Sequence, residues 1–364
     1  MRCGSSASMN EFPPSLWDML TEEKRPIWLY GTGNGADKIL DSAERFGIRI
    51  AGVFASDGFV RNRFFRGFPV LSLAEVRERC GEDFVVLLAF GTDRPEVIER
   101  ILELDSRHSL IIPEVPLYGG ELFDSRYAAG HRDKLEHARS LFCDERSRTL
   151  FDDAVSFRLT GQLRFISDTE SFDVTCASLL RGANIRCAVD GGAFRGDTAR
   201  QIADTLHPES ILAVEADSHN LGKLAAYAEE EKRCRILPVH AVLWDADGTV
   251  SFSNGGSRGS GADGRSRRRR IVQLPSMTLD SLLRDTPADF IKLDVEGAEE
   301  LVLSGGEAVI RRDLPSMAVS LYHRTDDLWL LPLRIRSLLP EHRFFLRRVL
   351  CVPMWDLTLW AVRP

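Results

Sequence analysis

No two of the seven cysteines (Cys3, Cys80, Cys143, Cys176, Cys187, Cys234 and Cys351) form a CxxC pair, and none stands close to histidine in a zinc-binding pattern. They read as reduced thiols of a cytosolic protein. Long apolar runs are missing as well. The longest, FVVLLAF, is far too short to cross a bilayer, and the start MRCGSSASMNEFPPSLW lacks the apolar core of a signal peptide. No membrane partner is expected. Positive charge is not in excess: 47 Lys and Arg stand against 54 Asp and Glu, a formal net charge of −7. The chain therefore lacks the field of a dedicated nucleic-acid binder, and a small or neutral partner is the better expectation.

What is present is an alternation. A length of 364 residues suits two domains, each with its own core. Residues 1–25 are polar and read as a loose lead-in. From there IWLY, RIAGVFA, FVVLLAF and SLIIPE are short apolar runs separated by helical patterns, as in a parallel sheet covered on both faces. This Rossmann-like module spans 26–118. Residues 119–183 are helical and charged and read as a connector. The alternation restarts over 184–364 with IRCAVDGG, SILAVEAD, CRILPVHAVL, DFIKLDVEG and MAVSLYH. It ends in RFFLRRVLCV and DLTLWAVR, which are close enough to pair as an antiparallel hairpin. The fold class is α/β with two doubly wound domains.

Each domain opens on a glycine turn. GTGNGA, with Gly31 and Gly33, fits G-x-G-x-x-A between a strand and a helix. An NAD site would need an acid ending the second strand, and Asp57 comes late for that role; the glycines also serve a tight turn without any ligand. The other turn, VDGGAFRG, is chemically different. Asp190 in front of the glycines would oppose a pyrophosphate and attract a ligand carrying an ammonium and a sulfonium, as S-adenosylmethionine does. Gly192 and Gly196 would let the backbone approach that ligand, and Thr198 with Gln201 would make a capping box for the helix. Glu215, 25 residues after Asp190, is placed to accept hydrogen bonds from ribose hydroxyls. It is otherwise a solvated strand-end acid.

Lys292, Asp294, Glu296 and Glu299 then crowd the end of an apolar strand, where open parallel sheets bind ligands. One of the glutamates is accounted for by the dipole of the next helix. His323 ends a further strand and titrates near neutrality, so it is a candidate base, or else a cap for the following TDD turn. His240 ends the third strand, where an adenine would lie. The basic loop SNGGSRGSGADGRSRRRR, with Arg267 and Arg268, would attract a phosphate or else be a solvated loop; without interleaved aromatics it offers no nucleic-acid platform.

AVDGGAFRGDT, AVEAD, MTLDSLL, IKLDVEGAEELVLSGG and SLYHRTDDLWLLPLRIRSLLPEHRFFLRRV, in that order, resemble the FkbM family of S-adenosylmethionine-dependent O-methyltransferases from Ile185 to the C-terminus. Ala193-Phe194 departs from the Ala-Asn of many members. The resemblance implies a class I methyltransferase fold, a parallel sheet closed by an antiparallel hairpin. It implies a cofactor set of Asp190, Gly191, Gly192, Ala193, Gly196, Thr198, Glu215, Ala216, His240, Ala241 and Asp294. It also implies methyl transfer to a hydroxyl, with Asp294, His323, Glu296 and Glu299 as the catalytic candidates. Lys292, Arg267, Arg268, Gly31 and Gly33 are the expected acceptor contacts. IRIAGVFASDG and RGFPVLSLAEV resemble the amino-terminal domain of PglD-type sugar acyltransferases, which implies a nucleotide-linked sugar or a dimer contact for the first module. Three carboxylates and a histidine so close would suit a divalent metal bridging sugar hydroxyls, a lesser alternative that the spacing does not require. Rival expectations are an NAD-dependent nucleotide-sugar oxidoreductase and a non-catalytic scaffold.

Overall fold

Ile27–Tyr30 is apolar at every position and all four side chains are buried, as in a strand covered on both faces. The computed structural model describes residues 12–56, 58, 60, 64–116, 118–254 and 270–364. They fall into two units: Met1–Glu136 with Thr149–Asp168 and Leu350–Trp355, and His137–Arg148 with Thr169–Val349 and Asp356–Pro364.

In the first unit β1 (Ile27–Tyr30), β2 (Ile50–Phe54), β3 (Phe64–Phe65), β4 (Phe68–Leu71), β5 (Val85–Leu88) and β6 (Ser109–Ile111) form one sheet in the order β3-β4-β2-β1-β5-β6. All pairings are parallel except β3 with β4. The chain reverses its direction of travel across the sheet at β1, where Gly31 and Gly33 lead into the helix Asn34–Arg45. Residues 1–25 are not wholly a loose lead-in. Leu16–Glu22 is a helix capped reciprocally by Ser15 and Asp18, and Leu16, Trp17 and Leu20 join the core of this unit. The residues of the expected helical connector, 119–183, divide between the two units.

The second unit contains β7 (Cys187–Gly191), β8 (Ser210–Glu215), β9 (Arg235–His240), β10 (Val242–Leu243), β11 (Gly248–Asn254), β12 (Arg270–Met277), β13 (Phe290–Leu293), β14 (Ser316–Ser320), β15 (Arg343–Arg348) and β16 (Leu357–Val362). Its main sheet runs β15-β16-β14-β13-β7-β8-β9, and β16 enters antiparallel to both of its neighbours. CRILPVHAVL, expected as one strand, is split: β9 stays in the main sheet while β10 joins β12 and β11 in a small second sheet. β7 and β13 are central, so their carboxyl ends are flanked by other strand ends on both sides.

An ion cluster ties β15 to the helical segment of the same unit. Arg347 donates to Ser147 Oγ (2.9 Å) and Asp144 Oδ2 (2.7 Å), and its Nε lies 3.3 Å from Glu170 Oε1. Burial pushes the Asp144 carboxyl up, but the hydrogen bonds from Arg347 and Ser147 outweigh it and hold the group below the ordinary range. Glu170 is also held low: burial opposes Thr175 and Arg146, and the two donors win. Carboxyls depressed by folding contribute stability above their unfolded values, about 4, and lose it as pH falls through the folded values. Arg347→Met should therefore cost about 3 kcal/mol at neutral pH, the low end for breaking a buried pair. It should also flatten the acid limb of the unfolding curve. Urea unfolding at several pH values measures both effects, and an unchanged acid limb would contradict this reading.

Candidate functional site

The backbone after β7 is shaped by the strand beside it. Gly192 has φ 77°, and a Cβ there would lie 2.0 Å from the carbonyl oxygen of Asp294. Gly196 has φ 88° and caps the helix Asp197–Leu206; a Cβ there would meet the Tyr227 ring at 2.8 Å. Both glycines make room for the protein's own atoms. The capping box at Thr198 and Gln201 does not form. The left-handed Gly196 takes the cap position without a side-chain bond, and Thr198 falls inside the helix.

Asp190 is fully buried. Its cross-strand partner is Lys292, whose Nζ lies 3.0 Å from Asp190 Oδ1 and donates to the carbonyls of Gly192 (3.1 Å) and Gly191 (3.4 Å). Burial alone would lower the ammonium's pKa, but Asp190 and Asp294 outweigh it and hold Lys292 charged. As placed, Lys292 is an internal counter-ion beneath the site and not a group presented to a substrate. The Asp190 charge is likewise met from within the protein.

Glu215 ends β8. Its Oε2 accepts the Phe194 N–H (2.9 Å) and its Oε1 accepts the Asp217 N–H (2.7 Å), so the carboxylate holds the glycine turn in place. Phe194 is left-handed, φ 49°. Burial pushes Glu215 up to about 7 despite those two donors. Ala193 and Ala241 are buried, and the exposed His240 donates through Nε2 to the carbonyl of half-buried Ala216 (3.1 Å). His240 and Ala216 thus stand side by side at the edge beyond Glu215.

The acids after β13 gather around His323. Nδ1 of the ring lies 2.8 Å from Glu299 Oε1, which also accepts the Val295 N–H (2.8 Å). Nε2 faces Asp294 Oδ1 at 3.4 Å and Glu296 Oε2 at 3.6 Å. Burial opposes charge on the ring, but Glu299, Glu296 and Asp294 outweigh it and push His323 up to about 10. With both nitrogens aimed at carboxylates, the ring presents no free base. Glu296 is left-handed, φ 58°, at the tip of the loop.

Two residues that sequence reasoning passed over complete the cluster. Ser320 Oγ (2.9 Å) and Tyr322 Oη (2.8 Å) both donate to Asp294 Oδ1. The available signal was their spacing: residues i and i+2 at a strand end share a face. Burial raises the Asp294 carboxyl, but Lys292, His323 and the two hydroxyls outweigh it, so the group stays ionised. The structure thus brings together Asp190, Glu215, Lys292, Asp294, Glu296, Glu299 and His323 within one unit. Gly31 and Gly33 belong to the other unit, and Arg267, Arg268 and Asp57 lie outside the described residues.

This strand order, with its reversed strand β16 and acids at the carboxyl ends of the central strands, is a methyltransferase-like fold. Residues 190–346 match the family model described as Methyltransferase FkbM domain. A crystal structure of methyltransferase FkbM from Methylobacillus flagellatus KT is similar over 98% of this chain and 96% of that one, with a TM-score of 0.69 at 18% identity. At that identity the likeness is one of fold, and it extends over both units. Fibrillarin from Aeropyrum pernix, solved with S-adenosyl-L-methionine, matches over 52% of this chain and 74% of that one, at 15% identity and a TM-score of 0.30. Precorrin-6y C5,15-methyltransferase from Geobacter metallireducens GS-15 matches over 52% of this chain and 87% of that one, at 10% identity and a TM-score of 0.32. No curated protein matches the sequence.

Proposed function

We propose that the methyltransferase unit moves a methyl group from S-adenosylmethionine to a hydroxyl of a saccharide-like acceptor, and that the first unit recognises the acceptor's nucleotide-linked carrier or a second copy. The observation that carries this reading is the charge of the crevice. Glu215 ends β8, and Asp294, Glu296 and Glu299 follow β13 on the far side of β7, while the nearby ammonium of Lys292 is bound to Asp190. Such a field suits a sulfonium and an ammonium and opposes a pyrophosphate lying on the turn. The donor set fits as well. Each oxygen of Glu215 accepts one backbone N–H, and a carboxylate has about four acceptor sites, so room remains for two ribose hydroxyls.

When bound, the cofactor supplies an electrophilic methyl group and leaves as S-adenosylhomocysteine. The chain's own task is to hold the acceptor oxygen in line and to take its proton. Asp294, pinned through Oδ1 by Ser320 and Tyr322, keeps Oδ2 to orient the hydroxyl. The proton passes to a carboxylate of the loop, with Glu296 the one at its tip. His323 stiffens the loop from below through Glu299.

Calorimetric titration with S-adenosylhomocysteine tests the cofactor, with NAD titrated separately. Ribose hydroxyls donating to Glu215 favour its ionised form, whereas in the free chain the group is largely neutral below about 7. Binding at pH 6 should therefore release close to one proton, and affinity should rise with pH until it levels off above neutrality. Glu215→Gln should weaken binding about 10- to 100-fold, the effect of 1–3 kcal/mol, and abolish the proton release. Binding of NAD alone would overturn the proposal. Asp190→Ala is the poorer probe, since it strands a buried ammonium.

A further inference from the structure

The carboxyl ends of β13 and β14 hold an arrangement that methyl transfer by alignment does not require. Asp294, Glu299 and His323 each offer one ligand atom, and the three atoms lie within 4.8 Å of one another. We propose that this cluster is a divalent-cation site, with Asp294, Glu296 and His323 Nε2 as ligands and Glu299 as the group that orients the ring.

The distances around Nε2 match the ligand spacing of an ion. An ion bound at about 2.0–2.2 Å spaces its neighbouring ligand atoms roughly 3.0–3.6 Å apart. Nε2 lies 3.4 Å from Asp294 Oδ1 and 3.6 Å from Glu296 Oε2, within that spacing. The other nitrogen is arranged as in a metal-ligating histidine. Nδ1 meets the carboxylate of Glu299, and Glu299 is itself fixed by the Val295 N–H.

A second observation is independent of those distances. Glu299 is 1% exposed, and its Oε2 has no hydrogen-bond partner among the described residues. A buried carboxylate oxygen without a donor points to positive charge that the surrounding side chains do not fully supply. Two carboxylates with one imidazole and no thiolate suit a first-row divalent ion such as Mn²⁺. At this place the ion would bridge neighbouring hydroxyls of the acceptor and lower the pKa of the one to be methylated. That role rests on the function proposed above; the ion site does not.

The test is titration of the full chain with Mn²⁺, followed by the paramagnetic resonance signal of the free ion, alongside titration with S-adenosylhomocysteine. The wild type should bind one Mn²⁺. His323→Ala should abolish binding, Glu296→Gln should weaken it, and Glu299→Gln should weaken it about 10- to 100-fold. Glu296 is partly exposed and its replacement is isosteric, so that variant keeps the test decisive if His323→Ala fails to fold. No Mn²⁺ binding by the wild type, or undiminished binding by Glu296→Gln, would overturn the ion site. S-adenosylhomocysteine bound without Mn²⁺ would remove the ion and keep the methyltransferase reading; Mn²⁺ bound without S-adenosylhomocysteine would keep the ion site and remove the cofactor proposal.

Discussion

Lys292→Met should lower the unfolding free energy of the methyltransferase unit by about 3–5 kcal/mol at neutral pH, the loss typical when one partner of a buried ion pair is removed. Asp190 is 0% exposed, and the ammonium 3.0 Å from Oδ1 is the counter-charge facing it from the neighbouring strand. Without it the carboxylate has no water to turn to, so the folded state relieves itself by keeping the proton. A carboxyl raised by folding favours the native state below its unfolded pKa, about 4, and loses that contribution as pH rises. The variant should therefore recover stability, relative to wild type, as pH is lowered towards 4. Asp190→Asn in the same chain should restore most of the loss, since two neutral groups of matching shape replace the pair. Urea unfolding of the single and double variants measures both effects. A loss below about 1 kcal/mol in Lys292→Met would mean that water reaches Asp190.

Gly192→Ala should separate the two turns on which the site depends. The added Cβ would lie 2.0 Å from the carbonyl oxygen of Asp294 and 2.9 Å from its carbonyl carbon, and both are backbone atoms that cannot swing aside. The left-handed conformation adds about 1 kcal/mol for alanine. The Asp294 N–H to Gly191 bond (3.0 Å) and the Lys292 donation to Gly192 converge on the same junction, so yielding there disturbs the charge pair and the acid loop together. S-adenosylhomocysteine affinity should fall by more than about 100-fold, a shift of some 3 kcal/mol. Gly222→Ala is the contrasting control. Gly222 lies in the helix Ser218–Glu230 with open space around its would-be Cβ, so alanine should stabilise by about 0.5–1 kcal/mol. Equal effects of the two substitutions would contradict the close approach.

The strands of both units were legible because strands buried on both faces leave uninterrupted apolar runs, as VVLL and FIKL do around a single charge. Length and turn spacing separated these runs into two sheets, and the closing hairpin followed from two runs too close together for a crossover. Short elements were less visible. β3 and β10, two residues each, are too brief to show a period, β4 carries Pro69 within its four residues, and the helix Leu16–Glu22 offers only Leu16, Trp17 and Leu20 on its buried face.

Residue chemistry and position along the chain were enough to place acids at strand ends, since a charge that closes an apolar run must sit where the strand leaves the core. What each acid does was decided by the register between strands. One parallel pairing sets Lys292 opposite Asp190, turning an expected substrate contact into a buried counter-ion. The neighbouring pairing brings the end of β14, with Ser320, Tyr322 and His323 beyond it, against Asp294. Those partners lie more than twenty residues apart in sequence. Local propensity carries no information about such separations, because hydrogen bonds between strands and the packing of side chains on both faces of the sheet set them only when the whole unit is assembled.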